Sequence, residues 1–361
     1  IDCVQPLARL STLAAVAMLS CLLGWPLSAP AQQVADSAAK DNDFPSQQPS
    51  LTEASYLGRA SCAASTCHGG VIDRGPSWRH ALSRWVAEDP HAGAGLVLLG
   101  RLSEAIIFSL DPSIAELKRQ QASLKPSEQS WTRKRDALLR HRCVSCHLTA
   151  TPQQCQSDEP LSVVTLAEGV SCESCHGAAE SWYHAHLQDS FSGPSRFELG
   201  LRDTESIFGR AQVCVRCHVG SRTDDGLVRD MNHDLIAAGH PVLRFDLSLY
   251  DDALPRHWDV DSSPEFYQSP VRVRKAGRAS SLAAAARLAS NRADGYLAEQ
   301  ADDIAWDERI VPMPELSDYD CFACHQSLSM DQYRLPVGSA ASDLAISAGL
   351  PIWNSWHTTS L

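Results

Sequence analysis

Four copies of one pentapeptide carry most of the chemistry in this chain: Cys143-Val144-Ser145-Cys146-His147, Cys172-Glu173-Ser174-Cys175-His176, Cys214-Val215-Arg216-Cys217-His218 and Cys321-Phe322-Ala323-Cys324-His325. A looser version, Cys62-Ala63-Ala64-Ser65-Thr66-Cys67-His68-Gly69-Gly70, has two extra residues between the thiols. Two thiols on a short turn, followed at once by an imidazole, meet the demands of covalent haem attachment. The sulfurs reach the two porphyrin vinyl groups and the histidine falls beneath the iron. At this chain's Cys and His frequencies chance supplies on the order of 0.02 such pentapeptides, so four are no accident. Structural zinc also uses Cys-x-x-Cys pairs, but it takes two pairs per ion and needs no histidine after every second cysteine. Disulfides between such near neighbours fit less well still. The expectation is five covalently attached haem c groups, with His68, His147, His176, His218 and His325 as proximal ligands.

The cysteine arithmetic agrees. Of thirteen cysteines, Cys3 and Cys21 lie near the start, ten fill five attachment pairs, and Cys155 alone is left over. Of fourteen histidines, nine remain for up to five sixth positions. A second imidazole on an iron gives a low-spin centre suited to electron transfer, and an empty position gives a site where a small molecule binds. The count permits full bis-histidine ligation, so electron transfer is the first expectation. The stretch Asn232-His233-Asp234-Leu235-Ile236-Ala237-Ala238-Gly239-His240-Pro241 holds two of these histidines seven residues apart. If Asp234 to Ala238 is helical they share a face and stand ~10 Å apart along it, a spacing that suits capping two closely packed haems.

The elements that must position these residues are mostly helical patterns in long loops. Residues 1–31 read as an export signal, with Arg9, an apolar run from Leu10 to Leu23 and the small-x-small sequence Ala29-Pro30-Ala31. The apolar run is shorter than the ~20 residues a membrane span needs, so cleavage is favoured over anchoring. An Ile at position 1 suggests a non-standard start codon or a chain cut short. Residues 32–55 are rich in Gln, Ser, Asp and Pro and read as a disordered linker. Helical patterns follow at Leu96 to Leu110, Ser113 to Leu124 and Ser127 to Arg140, a helix is expected to carry Trp182, His184 and His186, and a long Ala-rich helix is predicted over Gly277 to Ala301. The fold class is mainly α with extensive loop and few or no strands, the chain wrapped around closely packed haems. A four-haem core is expected over 56–260, a long helix with the fifth site over 261–334, and a tail over 335–361. Such a chain needs its macrocycles as core, so without them it folds poorly.

Composition narrows the partners. The chain has 361 residues, 44% of them apolar and 20% charged, and a formal net charge of -12. That charge excludes nucleic acid and favours redox partners with a basic docking face. No stretch after the leader is long and apolar enough to span a membrane, so a soluble exported protein, periplasmic in location, is expected. The oligomeric state is left open.

The order Cys-x4-Cys-His-Gly, Asp89-Pro90-His91-Ala92, Gly169-Val170-Ser171-Cys172-Glu173-Ser174-Cys175-His176-Gly177, Asn232 to Pro241 and Tyr319-Asp320-Cys321-Phe322-Ala323-Cys324-His325 resembles the cytochrome c-554 family of multihaem cytochromes c. The similarity covers about residues 56 to 330. It implies helical chains around closely packed haem pairs and periplasmic electron transfer in nitrogen or sulfur redox chains. By motif it also implies that His91, His186, His233 and His240 are distal ligands, with His186 fitting better than His184. The family type has four haems, so a fifth attachment site is a departure and the haem order does not carry over. For the fifth distal ligand His257 comes first, with His141, His80, His357 and an open iron as alternatives. The leading function is thus an exported pentahaem electron carrier. The rivals are an oxidoreductase with one open iron acting on a small nitrogen or sulfur compound, and an electron-entry subunit of a larger enzyme. Pentahaem nitrite reductases carry Cys-x-x-Cys-Lys, and no such pentapeptide occurs here.

Overall fold

The longest helix of the chain lies against the fourth attachment segment. It is α7, Pro270–Ala301, in the numbering α1 Ala81–Glu88, α2 Arg101–Leu110, α3 Pro112–Gln120, α4 Ser130–Leu139, α5 Ile207–His218, α6 Leu247–Ala253. This computed structural model describes residues 55–125, 130–188, 190–222, 227–259, 269–301 and 313–325. The expected leader, the linker up to residue 54, the segment 260–268 and the tail 335–361 with His357 lie outside the described residues. Everything described falls in one compact unit, residues 49–361.

Helix α7 buries Val273, Ala276, Ser280, Ala284, Leu288 and Arg292, a stripe at three- and four-residue spacing that faces inward once per turn. Val273 and Ala276 pack with Ile207 and Ala211 of α5 and Leu247 of α6, and Ala284 packs with Val215 and Val219. The helix starts at Pro270, seven residues before the predicted start at Gly277, because proline is favoured in a first helical turn, where its missing N–H costs nothing. A second cluster joins α2, α3 and α4 through Ile107, Ile114 and Leu139 and continues into Leu148, Leu161 and Leu166. Cys155 is buried in it.

Boundaries moved for local reasons. The pattern from Leu96 to Leu110 is a 3-10 turn, Leu96–Leu99, then Gly100 in extended backbone, then α2. Asp111 accepts the Ser113 amide at 3.0 Å and Pro112 opens α3, an N-terminal cap that starts the helix at 112. The expected helix through Trp182 and His186 is a turn ending in a 3-10 helix, Ala185–Leu187. Strand is confined, among the described residues, to the antiparallel pair β1, Ser221–Arg222, and β2, Val228–Arg229. No helix among the described residues is long and apolar enough to cross a membrane.

Long loops are pinned by buried polar groups. Arg140, only 6% exposed, donates to the carbonyls of Gln154, Glu159 and Pro160 at 2.8, 2.7 and 3.3 Å. Asp136 accepts the Leu161 amide at 3.0 Å. Glu173, between the cysteines of the third motif, accepts the amides of Leu57, Gly58 and Ala179 at 3.0, 2.8 and 2.8 Å and so anchors the first described residues to that motif. Arg140→Ala leaves three carbonyls under-satisfied and is expected to cost about 2–4 kcal/mol of stability, read as a lower denaturation midpoint of the holoprotein. An unchanged midpoint would show that water replaces the guanidinium.

Candidate functional site

Five histidines that follow a second motif cysteine each face one other histidine across a gap. The ring centroids of His68 and His186 are 6.4 Å apart, those of His91 and His218 6.1 Å, and those of His147 and His240 6.3 Å. His176 and His257 are 6.3 Å apart, as are His233 and His325. Two metal–imidazole bonds of about 2.0–2.1 Å, with roughly 1.1 Å from each nitrogen to its ring centre, place trans imidazole centroids about 6.3 Å apart. The gaps are too wide for hydrogen bonds between rings and match a metal ion between them.

Each ring is held by its own local structure. Asp89 caps the 3-10 turn Pro90–Gly93 by accepting the His91 amide at 2.9 Å, and the same oxygen takes Nδ1–H of His91 at 2.8 Å. Burial lowers the His91 pKa, but the Asp89 hydrogen bond and charge outweigh it and leave the pKa raised. Nδ1 of His68 donates to the Trp78 carbonyl at 2.7 Å, that of His147 to Ala94 at 2.8 Å and that of His240 to Pro241 at 2.9 Å. Nδ1 of His186 donates to the Tyr183 carbonyl and that of His257 to Pro255 at 3.4 Å. A carbonyl can only accept, so these rings carry their proton on Nδ1 and leave Nε2 bare, the tautomer a metal needs. Burial pushes His176 and His218 down to about 4, which keeps both neutral at ordinary pH.

Helices position three of the motif histidines, His147, His176 and His218. His218 ends α5 and stacks on Phe245 at 5.6 Å, edge-on to Tyr250 at 4.8 Å. His147 ends a short helix that continues a π-helical turn, Arg140–Val144, an irregularity that often marks functional positions. After His176 the chain turns at Gly177, with φ +91°, where a Cβ would sit 2.3 Å from the Gly200 carbonyl oxygen. His257 rests on Trp258 at 4.9 Å, and Trp258 lies under the Arg210 guanidinium at 4.7 Å, itself paired to buried Asp251 at 2.8 Å.

The helix expected within Asn232 to Pro241 spans His233–Ala237, capped by Asn232. Two residues past its end Gly239 takes φ +108°, and His240 N–H returns to the Leu235 carbonyl at 2.9 Å. The left-handed residue turns His240 off the axis. The two histidines do not share a helix face, yet they reach two different motifs, His240 the second and His233 the fifth.

The first four motifs share one cavity of about 940 Å³, lined by all eight of their cysteines and all four of their histidines. The Cys62 and Cys172 thiols are neighbours, as are those of Cys146 and Cys217. Cys175 lies close enough to Cys214 and Cys217 to feel their charge. The motifs therefore adjoin in the order first, third, fourth, second. The fifth stands apart and is joined to the second by the His233 to His240 segment.

Among the alternatives weighed for the fifth distal position, His141 is exposed, His80 is buried with no partner at Nδ1, and neither faces a proximal ring among the described contacts. His184 is exposed and packs edge-on to Tyr183 at 5.2 Å. What sequence reasoning missed is the brace of the fifth motif. Arg292, 5% exposed, pairs with Asp230 and Asp318 at 2.5 and 2.7 Å, and Glu315 accepts the His233 amide at 2.8 Å. Spacing is its one trace in the sequence, since Arg292 falls four residues after Leu288 on the stripe that α7 buries.

Residues 111–177, which include the second and third motifs, match the family described as cytochrome c554 and c-prime. Over that stretch the chain is similar to that family. The match supports a c-type cytochrome of electron transfer that carries haem c, and a c554-like fold agrees with the helical architecture. No curated protein and no solved structure matches the chain. The donor set of that stretch fits haem: paired thiols beside His147 and His176, whose pKa values burial lowers, on an apolar cavity. Gly177→Ala is expected to cost about 2–4 kcal/mol, through strain at positive φ and the clash with Gly200, and to disturb the absorbance of one haem. A thermal melt with an unaltered visible spectrum would contradict this.

Proposed function

We propose that the protein is an exported, periplasmic pentahaem c-type cytochrome that passes single electrons between redox proteins. The observation that carries this reading is the fivefold pairing of imidazoles at 6.1 to 6.4 Å. In it Cys62 and Cys67, Cys143 and Cys146, Cys172 and Cys175, Cys214 and Cys217, and Cys321 and Cys324 attach haem. His68, His147, His176, His218 and His325 are the proximal ligands, opposed by His186, His240, His257, His91 and His233 in that order. Bound this way, haem supplies one-electron exchange between ferric and ferrous iron with no vacant position. The chain's part is to hold both imidazoles of each pair as neutral donors, to exclude water, and to keep the rings from moving when charge changes.

An open iron acting on a small nitrogen or sulfur compound would need a proximal histidine without an opposing ring. Each of the five has one among the described residues, which supports the carrier over the enzyme. The chain divides in this reading into a four-haem core, 56–260, and a fifth-haem segment, 261–334, braced by α7. The net charge of -12 steers partners with a basic docking face. Covalent haem attachment fits an oxidising, extracytoplasmic setting.

The test is a haem count on the purified chain together with mapping of haem-bearing peptides. Five per chain, one on each cysteine pair, is the expected result; a much lower count sinks the reading. His257→Ala is expected to convert one low-spin haem in five to high spin, whereas His141→Ala leaves the spectrum unchanged. The reverse outcome would assign the ligand to His141.

A further inference from the structure

Three arginines meet where the second, third and fourth motifs adjoin, and each is fixed to one of them. Arg216 lies inside the fourth, next to Cys217. Arg202 donates from Nη1 to the Ser174 carbonyl inside the third at 2.5 Å, and its amide donates to the His176 carbonyl at 2.9 Å. Arg229 donates from Nε to the Ser145 carbonyl inside the second at 2.8 Å. Its Nη1 donates to the Ser221 hydroxyl at 3.4 Å, which in turn donates to the Arg216 carbonyl at 3.1 Å. Arg229 also lines the cavity that the first four motifs share. All three arginines are half-buried.

Their charge is unanswered. The chain holds 43 acidic residues against 31 basic ones, yet among the described residues no carboxylate pairs with any of the three. Carbonyl and hydroxyl oxygens take the hydrogen bonds of Arg202 and Arg229, and the Arg216 guanidinium makes none among the described residues. Burial, and after it the charges of Arg202 and Arg229, push Arg216 down to about 10. Arg210 and Arg292, by contrast, each meet a carboxylate. Like charges drawn together and partly out of water cost stability unless an anion joins them.

Resting on the pentahaem reading, we infer that Arg202, Arg216 and Arg229 form one carboxylate-binding site, and that its occupants are propionates of a haem in the shared cavity. Propionates are the carboxylates that haem itself carries, and they leave the porphyrin at the edge opposite the vinyl groups. An arginine beside Cys217 stands at the thioether edge of its own haem. The carboxylates it meets therefore belong to the haem of an adjoining motif. A guanidinium's planar fork matches a carboxylate with two parallel hydrogen bonds. The site thereby ties neighbouring haems together across three motifs, and its positive charge favours the ferrous state of the haem it holds.

The experiment uses the full holoprotein, with a haem count first, then redox titration and resonance Raman spectra of the propionate bending band. Arg216→Gln is expected to favour the ferric form of one haem about tenfold, a fall of about 59 mV in its potential. One propionate component is expected to move to lower frequency as its hydrogen bond is lost. Arg119→Gln, exposed on α3 and paired with Glu116, is expected to change neither. Where Arg216→Gln sheds haem, Arg229→Gln is read in its place with the same expectation. An unmoved propionate band overturns the site whatever the potential does, since loss of charge alone moves only the potential. An equal fall in Arg119→Gln overturns it too. Inorganic phosphate, titrated into the unaltered holoprotein at constant ionic strength, is expected to leave the potentials unchanged. A saturable shift that Arg216→Gln abolishes would make a free anion the occupant and overturn the propionate assignment. Fewer than five haems on the unaltered chain overturns the pentahaem reading instead, a result the count separates from a failed site.

Discussion

A metal held between two imidazoles fixes their ring centres about 6.3 Å apart, and the fold meets that demand five times. The partners in a pair lie 81 to 127 residues apart in sequence. Short turns, caps and carbonyl acceptors therefore do the positioning, while the long helices act as walls. Helices alone would present histidines on regular faces, and here His91 and His186 sit in 3-10 turns, His233 opens a short helix and His240 lies just beyond its end.

Charge is handled with the same economy of parts. Burial keeps His176 and His218 neutral, and the carbonyls beside six other rings, or Asp89 in one case, fix the proton on Nδ1. Buried cations are committed to structure: Arg140 to three carbonyls, Arg210 to Asp251, and Arg292 to Asp230 and Asp318. Arg210 ties two helices together, and Arg292 ties the segments before His233 and Cys321 to the longest one. The apolar side-chain clusters are small and separate, as expected where cofactors are to fill the space between them.

The attachment residues were legible because their chemistry is local: two thiols and an imidazole within five residues announce themselves. The mainly helical fold was legible too, from apolar spacing such as the α7 stripe. Distal partners are a long-range matter, and His91 opposite His218 follows from no pattern in the sequence; likeness to a family suggested four of them. His257 ranked first on its setting beside Trp258, and the ring does sit against that indole. The shared helix face for His233 and His240 failed because Gly239 adopts a left-handed conformation, which sequence alone marks only as a frequent helix stop. The Arg292 brace was hidden because an arginine in an Ala-rich helix reads first as solvent-facing.

Ring orientation gives the sharpest check on the pairing. His68 with His186 and His233 with His325 are near parallel, at 18° and 24°, whereas the other three pairs are crossed at 72° to 79°. Parallel imidazole planes split the iron's π-type orbitals, and crossed planes leave them nearly degenerate, so the two classes differ in electron paramagnetic resonance. The measurement is low-temperature resonance of the fully oxidised holoprotein with spin quantitation. The expected result is two rhombic and three highly anisotropic low-spin signals of equal weight, with no high-spin iron. A stoichiometric high-spin signal would contradict the fivefold pairing.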